Sequence, residues 1–477
     1  MGWSLPNVLP RPDAPSWSPW VCLSIIFSGL SMALVWVILF SPEGNLPTLK
    51  SGYWLPLSVY ILLGIIVLIT FYTVCWEILS YRVYKWNSWR RNMRLAWQSQ
   101  AHQHLYVARH TVLTADLHFF PNLASGVTTD RGEASPLTLA TVEPINPGIL
   151  RFEELCRQLL RECRVSLLEQ YPSGQLTVLI QTTAADKAAE EASFIQLWLQ
   201  EALPWSAAIH VLPNELPSNS WNNYLAVVRT PLLVLAMHYR QPDENVPEFA
   251  CALLLFPETM LKPSEQRDAV RVFRAMPLKT EALPRELAEL RDMAQQPPHI
   301  KHLVWFSGLP ASASQAVGRV VRNLPLPLHD DIATGGVIDF TKVCADYGHC
   351  AGWLMVAAAT EMVNYGPGSH WLLQSDGKQA SAMVLGNSLP VIHDEDRGRL
   401  SLPYPAGSLC FALFINTVAY GVMSHLFPQW LFSWSGVISV LLSLMVTLPG
   451  AVFILRLAIT YLLRPRFIQA VRLAKKE

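Results

Sequence analysis

Long uncharged runs of apolar residues stand at both ends of the chain, two near the beginning and two near the end. Each run reaches the ~20 residues that a helix needs to cross about 30 Å of hydrocarbon. One such run alone is also compatible with a buried core helix, but the set predicts two transmembrane hairpins. The third run is the weakest, because it contains Asn416 and His425. The runs are Val21–Phe40, Tyr53–Tyr72, Gly407–Phe427 and Leu431–Leu455.

Between the hairpins, short apolar runs alternate with helical patterns, as is typical of a layered α/β domain. A strand, helices and a strand hairpin occur in one order and then in the same order again, so the domain is predicted to be duplicated. Apolar helices between apolar strands indicate central helices buried between two sheets. The second hairpin is predicted to turn at Asp376-Gly377. The predicted strands are Gln175–Thr182, Thr230–Arg240, Glu248–Glu258, His302–Gly308 and the two arms of Ser369–Asn387.

The pattern divides the chain into consecutive segments. Trp86–His104 is predicted to continue the second apolar helix, with Trp and Arg side chains that suit the headgroup level of a membrane. The predicted segments are a Pro-rich N-terminal segment (1–20), a first transmembrane hairpin (21–81), a juxtamembrane helical segment (82–118), the α/β domain (119–400, with halves at about 150–290 and 300–395), a second hairpin (405–463) and a basic tail (464–477).

Charge adds an orientation to this picture. The 36 Lys and Arg residues balance 36 Asp and Glu residues, so no net charge favours nucleic acid as a partner. Basic residues cluster after the second and the fourth apolar run, at Arg82–Arg94 and Arg464–Lys476, and are sparse within each hairpin. By the positive-inside rule, both termini and the large domain are expected in the cytoplasm of a multi-pass protein of a bacterial inner membrane. The first run lacks the basic start and the small-residue site of a cleaved signal peptide.

Metal, cofactor and transport functions are not favoured by the residue pattern. The 8 cysteines are scattered without a CxxC pair, so we expect free thiols, no metal site and no cofactor. His102, His104 and His110 have the spacing of a polar helical cluster near the membrane. Arg456, near the end of the last run, is expected to reach the cytoplasmic surface. Ionisable residues are rare in the apolar runs, which argues against a transporter.

One stretch places a histidine beside a cysteine, and this pairing raises the question of a nucleophile and its base. Residues 346–353 read DYGHCAGW and precede the apolar run LMVAAATEMV. A catalytic thiolate and its base need such residue types in contact. A simpler interpretation is that residues 346–353 form the beginning of a buried helix, with Asp346 as its N-cap.

Three stretches together resemble the thiolase-fold superfamily, in particular β-ketoacyl synthases and their degenerate relatives. YGHCAGW with its alanine-rich continuation is similar to the Gly-His-x-x-(Gly/Ala)-(Ala/Gly) motif of the synthases. SHWLLQSDGKQASAMVLG resembles their final hairpin, and PEFACALLLFPE the equivalent hairpin strand of the first half. The resemblance covers roughly residues 120–395 and implies a duplicated five-layer αβαβα domain.

The resemblance also implies a Cys-His-His site, in which a thiolate at a helix N-terminus and two imidazoles perform a decarboxylative condensation. His349 matches one of the histidines. Ser218 and Ser220 stand where the nucleophilic cysteine is expected, and His329 lies in LHDDIATGG instead of a His-Gly-Thr-Gly-Thr loop. Cys350 belongs to the other half and does not replace the nucleophile. We therefore regard His349, Ser218, Ser220 and His329 as vestigial candidates and expect no catalysis.

A catalytically empty thiolase-like domain held at a membrane favours a scaffold or an adaptor that binds a protein partner. The topology resembles adaptor proteins that accompany type VI secretion lipase effectors, which implies recruitment of a secreted effector. Two alternatives remain open. One is an immunity protein against a toxin of the inner membrane. The other is a synthase-like acyltransferase or acyl-binding protein, which predicts an apolar tunnel that ends near His349 and Ser218 or Ser220. The oligomeric state is left open.

Overall fold

The computed structural model describes residues 5–40, 54–126, 138–139, 150–227, 229–239, 246–260, 268–329, 335–348, 350–366, 368–390 and 401–474. The chain forms two compact units. One unit is built from Ala96–His393. The other contains Ser4–Leu95 together with Asp394–Glu477. Each is described separately below.

The first two helices carry the first two apolar runs. Helix α1 spans Pro19–Phe40, and helix α2 spans Trp54–Ala101. Both contain windows with a mean hydropathy of 2.4. With 48 residues, α2 is about 72 Å long. It extends well beyond its apolar part, as predicted from its Trp- and Arg-rich continuation.

The α/β unit begins with a half that is built from alternating strands and helices. Its parallel strands are joined through helices, and its last two strands form the predicted hairpin. The elements are β1 (His104–Thr114), α3 (Phe119–Ser125), α4 (Arg151–Gln170), β2 (Gly174–Thr182), α5 (Lys187–Gln200), β3 (Trp205–Val211), α6 (Pro217–Val227), β4 (Leu232–His238) and β5 (Phe249–Phe256).

The second half repeats this order with shorter strands. Its final hairpin turns at Asp376-Gly377, where Asp376 Oδ1 accepts hydrogen bonds from the backbone N–H groups of Lys378 and Gln379. The elements are β6 (Arg271–Phe273), β7 (Met276–Leu278), α7 (Leu283–Asp292), β8 (His302–Ser307), α8 (Ala311–Asn323), β9 (Val337–Asp339), α9 (Phe340–Cys344), α10 (Ala351–Tyr365), β10 (Ser369–Ser375) and β11 (Ala380–Gly386).

The strand order confirms the predicted duplication. The first half reads β3-β2-β4-β5-β1, and the second half reads β9-β8-β10-β11-β6. In both halves the first three strands are parallel and the fourth is antiparallel to its neighbours. Strand β1 also pairs with β6, and this pairing joins the halves into one sheet path. The predicted duplicated α/β domain, which lies between two pairs of apolar helices in the chain, is confirmed.

Burial on both faces of the strands explains their continuous apolar sequences. Leu232, Val234 and Ala236 of β4 point into the core that contains α6 and α10. Leu233 and Leu235 point into the core under α4 and α5. Helix α10 touches β1 and β5 of the first half as well as β10 and β11 of the second. A helix enclosed in this way must be apolar all round, as α10 is.

Strand β1 corrects one prediction. Residues 104–114 were assigned to the juxtamembrane helical segment, but they pair with β5 from Tyr106↔Phe256 to Thr114↔Phe249. The predicted helical histidine cluster is therefore absent from the described residues. His104 contacts Glu258, and His110 contacts Glu361. The alternation of β1 is weak, because most of its residues are half-buried, and the preceding amphipathic helix concealed its beginning.

The last helices carry the third and fourth apolar runs. They are α11 (Ala406–Leu426), the short α12 (Pro428–Leu431) and α13 (Trp434–Ala474). Within the described residues, α1, α2, α11 and α13 are 4 helices whose length and composition suit them to cross a membrane. This number agrees with the predicted spans.

The helices of this unit pack through small and polar residues. Gly407 of α11 lies so close to α2 that an added Cβ would be 2.4 Å from the Cα of Val74. Asn416 of α11 donates a hydrogen bond to Thr447 and accepts one from Ser443, both on α13. Such contacts hold helices together where apolar burial alone provides little driving force.

An ion pair within this unit was not predicted. Glu77 of α2 is fully buried, and its carboxylate lies 3.8 Å from Nε of Arg456 on α13. Arg456 also donates to the carbonyl of Pro403 at 2.7 Å and stacks over Tyr81. The guanidinium of Arg456 therefore has three partners within the protein, which the sequence did not predict.

Candidate functional site

The beginning of α6 is held in place from strand β2. Gln181, near the carboxyl end of β2, donates hydrogen bonds to the carbonyls of Pro213 at 2.8 Å and Glu215 at 2.7 Å. These bonds order the connection that leads from β3 to α6. Pro217 then starts the helix, a position where a missing N–H group has no cost. The connection places Ser218 and Ser220 in the first turn of α6.

The two serines face different clefts. Ser218 lines a cleft of about 620 Å³ with Arg274, Lys279 and Lys378. Ser220 lines a second cleft of about 480 Å³, and Asn219 and Asn223 of α6 line both clefts. Both clefts are lined mainly by polar side chains. Residues two positions apart on a helix do not face each other, so the side chains of Ser218 and Ser220 project in different directions.

Ser220 is bound to a carboxylate and not to an imidazole. Its Oγ donates to Glu215 Oε1 at 3.0 Å, and Asn219 donates to the other carboxylate oxygen at 3.3 Å. Ser220 is only 8% exposed. A histidine, His210, does line the same cleft, but its ring contacts Tyr224 at 6.0 Å between centroids. The arrangement stabilises the first turn of α6 and does not activate a hydroxyl.

The beginning of α10 lies against the beginning of α6. A Cβ on Gly352 would stand 2.5 Å from the ring of Pro217 and 2.6 Å from Gln374, so glycine is required for this close approach. Gln374, near the end of β10, donates to the carbonyl of Gly352 at 3.1 Å. Trp221, one turn after Pro217, and Trp353, directly after Gly352, pack edge to face with ring centroids 6.2 Å apart, and both are fully buried. Side chains therefore fill the space between these helices.

Cys350 stands at the N-cap position of α10, and it is fully buried. Its Sγ contacts Asn214 Oδ1 at 3.5 Å. Burial raises the pKa of the Cys350 thiol to about 12. The positive charge of Lys187 opposes this rise, and the negative charge of Glu190 adds to it. A thiol in this state is not the nucleophile that an acyl transfer needs.

His349, which carries the match to the synthase motif, lies outside the described residues. The residues just before it form a turn of their own. Asp346 Oδ1 accepts a hydrogen bond from the backbone N–H of Gly348 at 2.9 Å, and Gly348 has a φ of +70° that favours glycine. Cys350, and not Asp346, occupies the N-cap position of α10. The prediction that Asp346 caps this helix is wrong, since its side chain closes the preceding turn.

His329 lies at the other end of the second half. Its backbone N–H donates to the carbonyl of His302 at 2.9 Å, and His302 pairs with Ser369 at the beginning of β10. The contact to α10 is made by Gln374, five residues further along β10, a distance of about 16 Å. The structure therefore separates His329 from Cys350 and from the beginning of α10.

Two buried histidines were missed by the sequence reasoning. His302 hydrogen-bonds through Nδ1 to Ser369 Oγ at 2.8 Å, and burial lowers its pKa to about 4. His370 is fully buried against the ring of Trp305, and burial, with smaller contributions from His302 and His329, lowers its pKa to about 3. Histidines inside apolar strand runs such as HLVWFS and SHWLLQ were the available signal. Both imidazoles are neutral near pH 7. Among the described residues, His302 has Ser369 as a hydrogen-bond partner, whereas neither ring nitrogen of His370 has one.

A buried carboxylate network at the end of β2 was also missed. Glu190 of α5 accepts hydrogen bonds from Thr182 Oγ1 at 2.6 and 2.7 Å and from the hydroxyl of Tyr239 at 2.5 Å. Lys187 Nζ donates to the carbonyl of Thr182. Burial, followed by the hydrogen bond to Glu190, raises the pKa of the Tyr239 hydroxyl. Every member has a partner, so the network stabilises the end of the sheet.

No family model matches this chain, and no curated protein matches it. Among solved structures it is similar to the type II polyketide complex AntDE:AntF, an acyl-carrier protein with its ketosynthase, at 10% identity and a TM-score of 0.44, covering 60% of this chain and 99% of that one. It is also similar to cerulenin-bound OleA of Xanthomonas campestris (11% identity, TM-score 0.39, 60% and 97% covered). A third similar structure is the oxazolomycin ketosynthase domain of Streptomyces albus, at 11% identity and a TM-score of 0.41, covering 63% of this chain and 100% of that one.

Proposed function

We propose that this chain is a non-catalytic, membrane-anchored scaffold whose thiolase-like domain recruits a protein partner. The partner that the topology favours is a secreted effector of a type VI secretion apparatus. The apolar helices would hold the domain at the cytoplasmic face of a bacterial inner membrane, where its surface would bind the effector. The proposal rests on the state of the junction between α6 and α10.

The state of Cys350 is the observation that carries this proposal. With a pKa of about 12, about one thiol in 10⁵ is ionised at pH 7. The Ser220 hydroxyl, in turn, donates a hydrogen bond to the Glu215 carboxylate, which also accepts one from Asn219. Neither side chain is prepared to attack an acyl group. The polar character of the clefts beside Ser218 and Ser220 does not fit an acyl chain.

A substitution series separates recruitment from catalysis. The full-length protein, extracted in mild detergent, would be compared with Ser218→Ala, Ser220→Ala, Cys350→Ala and His349→Ala variants. Each would serve as bait for affinity purification, with bound proteins identified by mass spectrometry. A scaffold predicts that all four variants recover the same secretion component as the unchanged protein. Loss of a cellular phenotype in His349→Ala or Cys350→Ala, with partner recovery intact, would instead favour an enzyme.

The same purification distinguishes the remaining alternatives. Recovery of acyl carrier protein would favour an acyl-binding role. Recovery of a toxin would favour an immunity function. A competition assay then tests it, because deletion of the gene should make the strain sensitive to neighbouring cells only if the protein confers immunity. Recovery of no secretion component from cells that express the apparatus would contradict the scaffold proposal.

A further inference from the structure

The N-terminal segment, residues 5–18, lies along α2 in the direction opposite to the helix. Polar and aromatic side chains of α2 bind its backbone at successive points. The contacts are Arg90 Nε to Val8 O (2.9 Å), Trp86 Nε1 to Leu9 O (3.2 Å), Asn87 to both the N–H and the C=O of Arg11 (3.0 Å each), Trp76 Nε1 to Pro15 O (2.9 Å) and the N–H of Ser18 to the Tyr72 hydroxyl (3.3 Å). We refer to residues 5–18 as the strap.

The spacing of these contacts shows that the strap is extended between Val8 and Pro15, after a tight turn in which the N–H of Val8 donates to the carbonyl of Pro6 at 2.9 Å. Val8 and Pro15 are seven residues apart, which is about 22 Å in polyproline II conformation. Their partners Arg90 and Trp76 are 14 residues apart on α2, which is about 21 Å along a helix. The two lengths agree only if the strap is extended. Its prolines, which restrict φ to this conformation, are Pro6, Pro10, Pro12 and Pro15.

A groove between α2 and α13 receives the strap. Val8 is 4% exposed and packs with Trp86 and Leu463. Phe467 of α13 stands edge to face against Trp86 with ring centroids 5.1 Å apart. On the other side, the guanidinium of Arg11 lies 4.1 Å above the ring of Trp86. Trp86 is thus the centre of a site built from two helices.

The chemistry of this groove is that of polyproline recognition. Proline-containing segments bind in aromatic grooves that donate hydrogen bonds to their carbonyls, because proline has no N–H group to offer. Two indole N–H groups, those of Trp76 and Trp86, act in this way here. A segment that is already extended loses little entropy on binding.

The strap is bound in a manner that permits release. Val8 is the only buried residue among positions 5–18, whereas its neighbour Leu9 is 74% exposed. Most of its attachment therefore consists of hydrogen bonds at a partly exposed surface. Segments with few buried apolar contacts open at low free-energy cost.

We propose that this groove is a docking site for an extended, proline-containing peptide segment of a partner protein, and that the strap occupies it as an internal competitor. Release of the strap exposes the groove to a partner segment of the same chemistry. Because the strap is tethered, its effective concentration is in the millimolar range for a short linker, so it suppresses weak ligands. This proposal is independent of the proposed scaffold function. The scaffold function concerns the α/β unit, whereas the groove belongs to the unit that contains the apolar helices.

The test uses a fluorescent peptide of residues 5–18 and the full-length protein in detergent or nanodiscs. Val8→Asp in the protein weakens the internal strap without changing the groove. We expect this variant to bind the peptide at least about tenfold more tightly than the unchanged protein, as measured by fluorescence anisotropy. Leu9→Asp is the matched control, because Leu9 is exposed, and it should bind like the unchanged protein.

Two further arms keep the test decisive. Adding Asn87→Ala to the Val8→Asp protein should abolish the gain, and a peptide that carries Val8→Asp should not bind. If Val8→Asp does not fold, Pro10→Gly with Pro12→Gly loosens the strap more gently and should give the same gain. If the peptide does not bind to a variant whose strap is loosened, the proposed docking site does not exist. If the peptide binds equally well to the loosened variant and to the unchanged protein, the strap does not compete for the groove.

Discussion

The carboxylate of Glu77 on α2 accepts a hydrogen bond of 2.6 Å from the backbone N–H of Ser408, the third residue of α11. The Ser408 hydroxyl donates to the same carboxylate at 3.1 Å. A side chain of one helix thus satisfies a free N–H group in the first turn of another. With Arg456 of α13 beside it, Glu77 links three apolar helices of the unit.

Removal of the Glu77 carboxylate should destabilise this unit strongly. Glu77→Ala leaves the Ser408 N–H unsatisfied and Arg456 without its buried counter-charge, which costs about 3–5 kcal/mol in comparable sites. The measurement is the thermal unfolding midpoint in detergent. Arg464→Met, at an exposed position of α13, serves as the control and should change the midpoint little. If Glu77→Ala unfolds at the same temperature as the unchanged protein, the linkage is not structural.

Gly407 should tolerate no side chain. A Cβ there would stand 2.4 Å from the Cα of Val74 and 2.5 Å from the carbonyl oxygen of Thr73, and backbone atoms do not move aside cheaply. Gly407→Ala should therefore separate α11 from α2 and lower stability by about 1–3 kcal/mol. Gly421→Ala in the same helix is the matched control, because nothing lies within 4 Å of its added Cβ. Equal midpoints for the two variants would contradict the close approach.

Cys350 should resist alkylation in the folded protein. Its raised pKa and complete burial leave almost no accessible thiolate at pH 8. Treatment with iodoacetamide, followed by peptide mass spectrometry, should find Cys350 unmodified before denaturation and modified after it. Cys163, buried in α4 with a pKa also raised to about 12 by burial, should behave in the same way and is an internal reference. Selective labelling of Cys350 in the native state would restore it as a candidate nucleophile.

The buried histidines should make the α/β unit sensitive to acid. Burial holds the pKa of His370 at about 3 and that of His302 at about 4, below the ordinary value of about 6.5. The unfolded chain therefore binds protons first as the pH falls below about 6.5, so stability declines from there towards the folded pKa values. Between pH 7.5 and 5 the expected loss is about 2 kcal/mol for each histidine.

Replacement of one histidine tests this pH dependence. His370→Phe removes one titrating group and keeps an aromatic ring, so the variant should lose less stability between pH 7.5 and 5 than the unchanged protein. The slope, which is the change in the free energy of unfolding with pH, is measured by chemical unfolding at pH 7.5 and pH 5. The exposed His210→Gln is the control and should leave the slope unchanged. An unaltered slope in His370→Phe would show that His370 is not neutral in the fold.

Much of the fold could be predicted from local patterns. The apolar runs were long enough to be recognised one by one, and the strand hairpins at 232–256 and 369–386 have apolar strands on both sides of a polar turn. The duplication followed from the repeated order of elements. Strand β1 could not be found in this way, because its half-buried residues do not alternate clearly and its pairing with β5 spans more than a hundred residues.

The candidate site could be predicted only in part. Ser218 and Ser220 were correctly placed at the beginning of a central helix, since helix position is a local property. Their separation into two clefts depends on the neighbours of α6. His329 was paired with this site by resemblance, whereas the parallel register of β8 and β10 places it at the opposite end.

The sequence by itself determined the apolar helices, the α/β class of the domain and its duplication, because these follow from the spacing of apolar residues within short windows. Tertiary structure alone decided which distant groups meet. It buried Cys350 beside Asn214, paired Glu77 with Ser408 and Arg456, and laid the strap against Trp86. Each of these contacts joins residues more than 70 positions apart. Their energies arise from burial and packing that no local pattern contains.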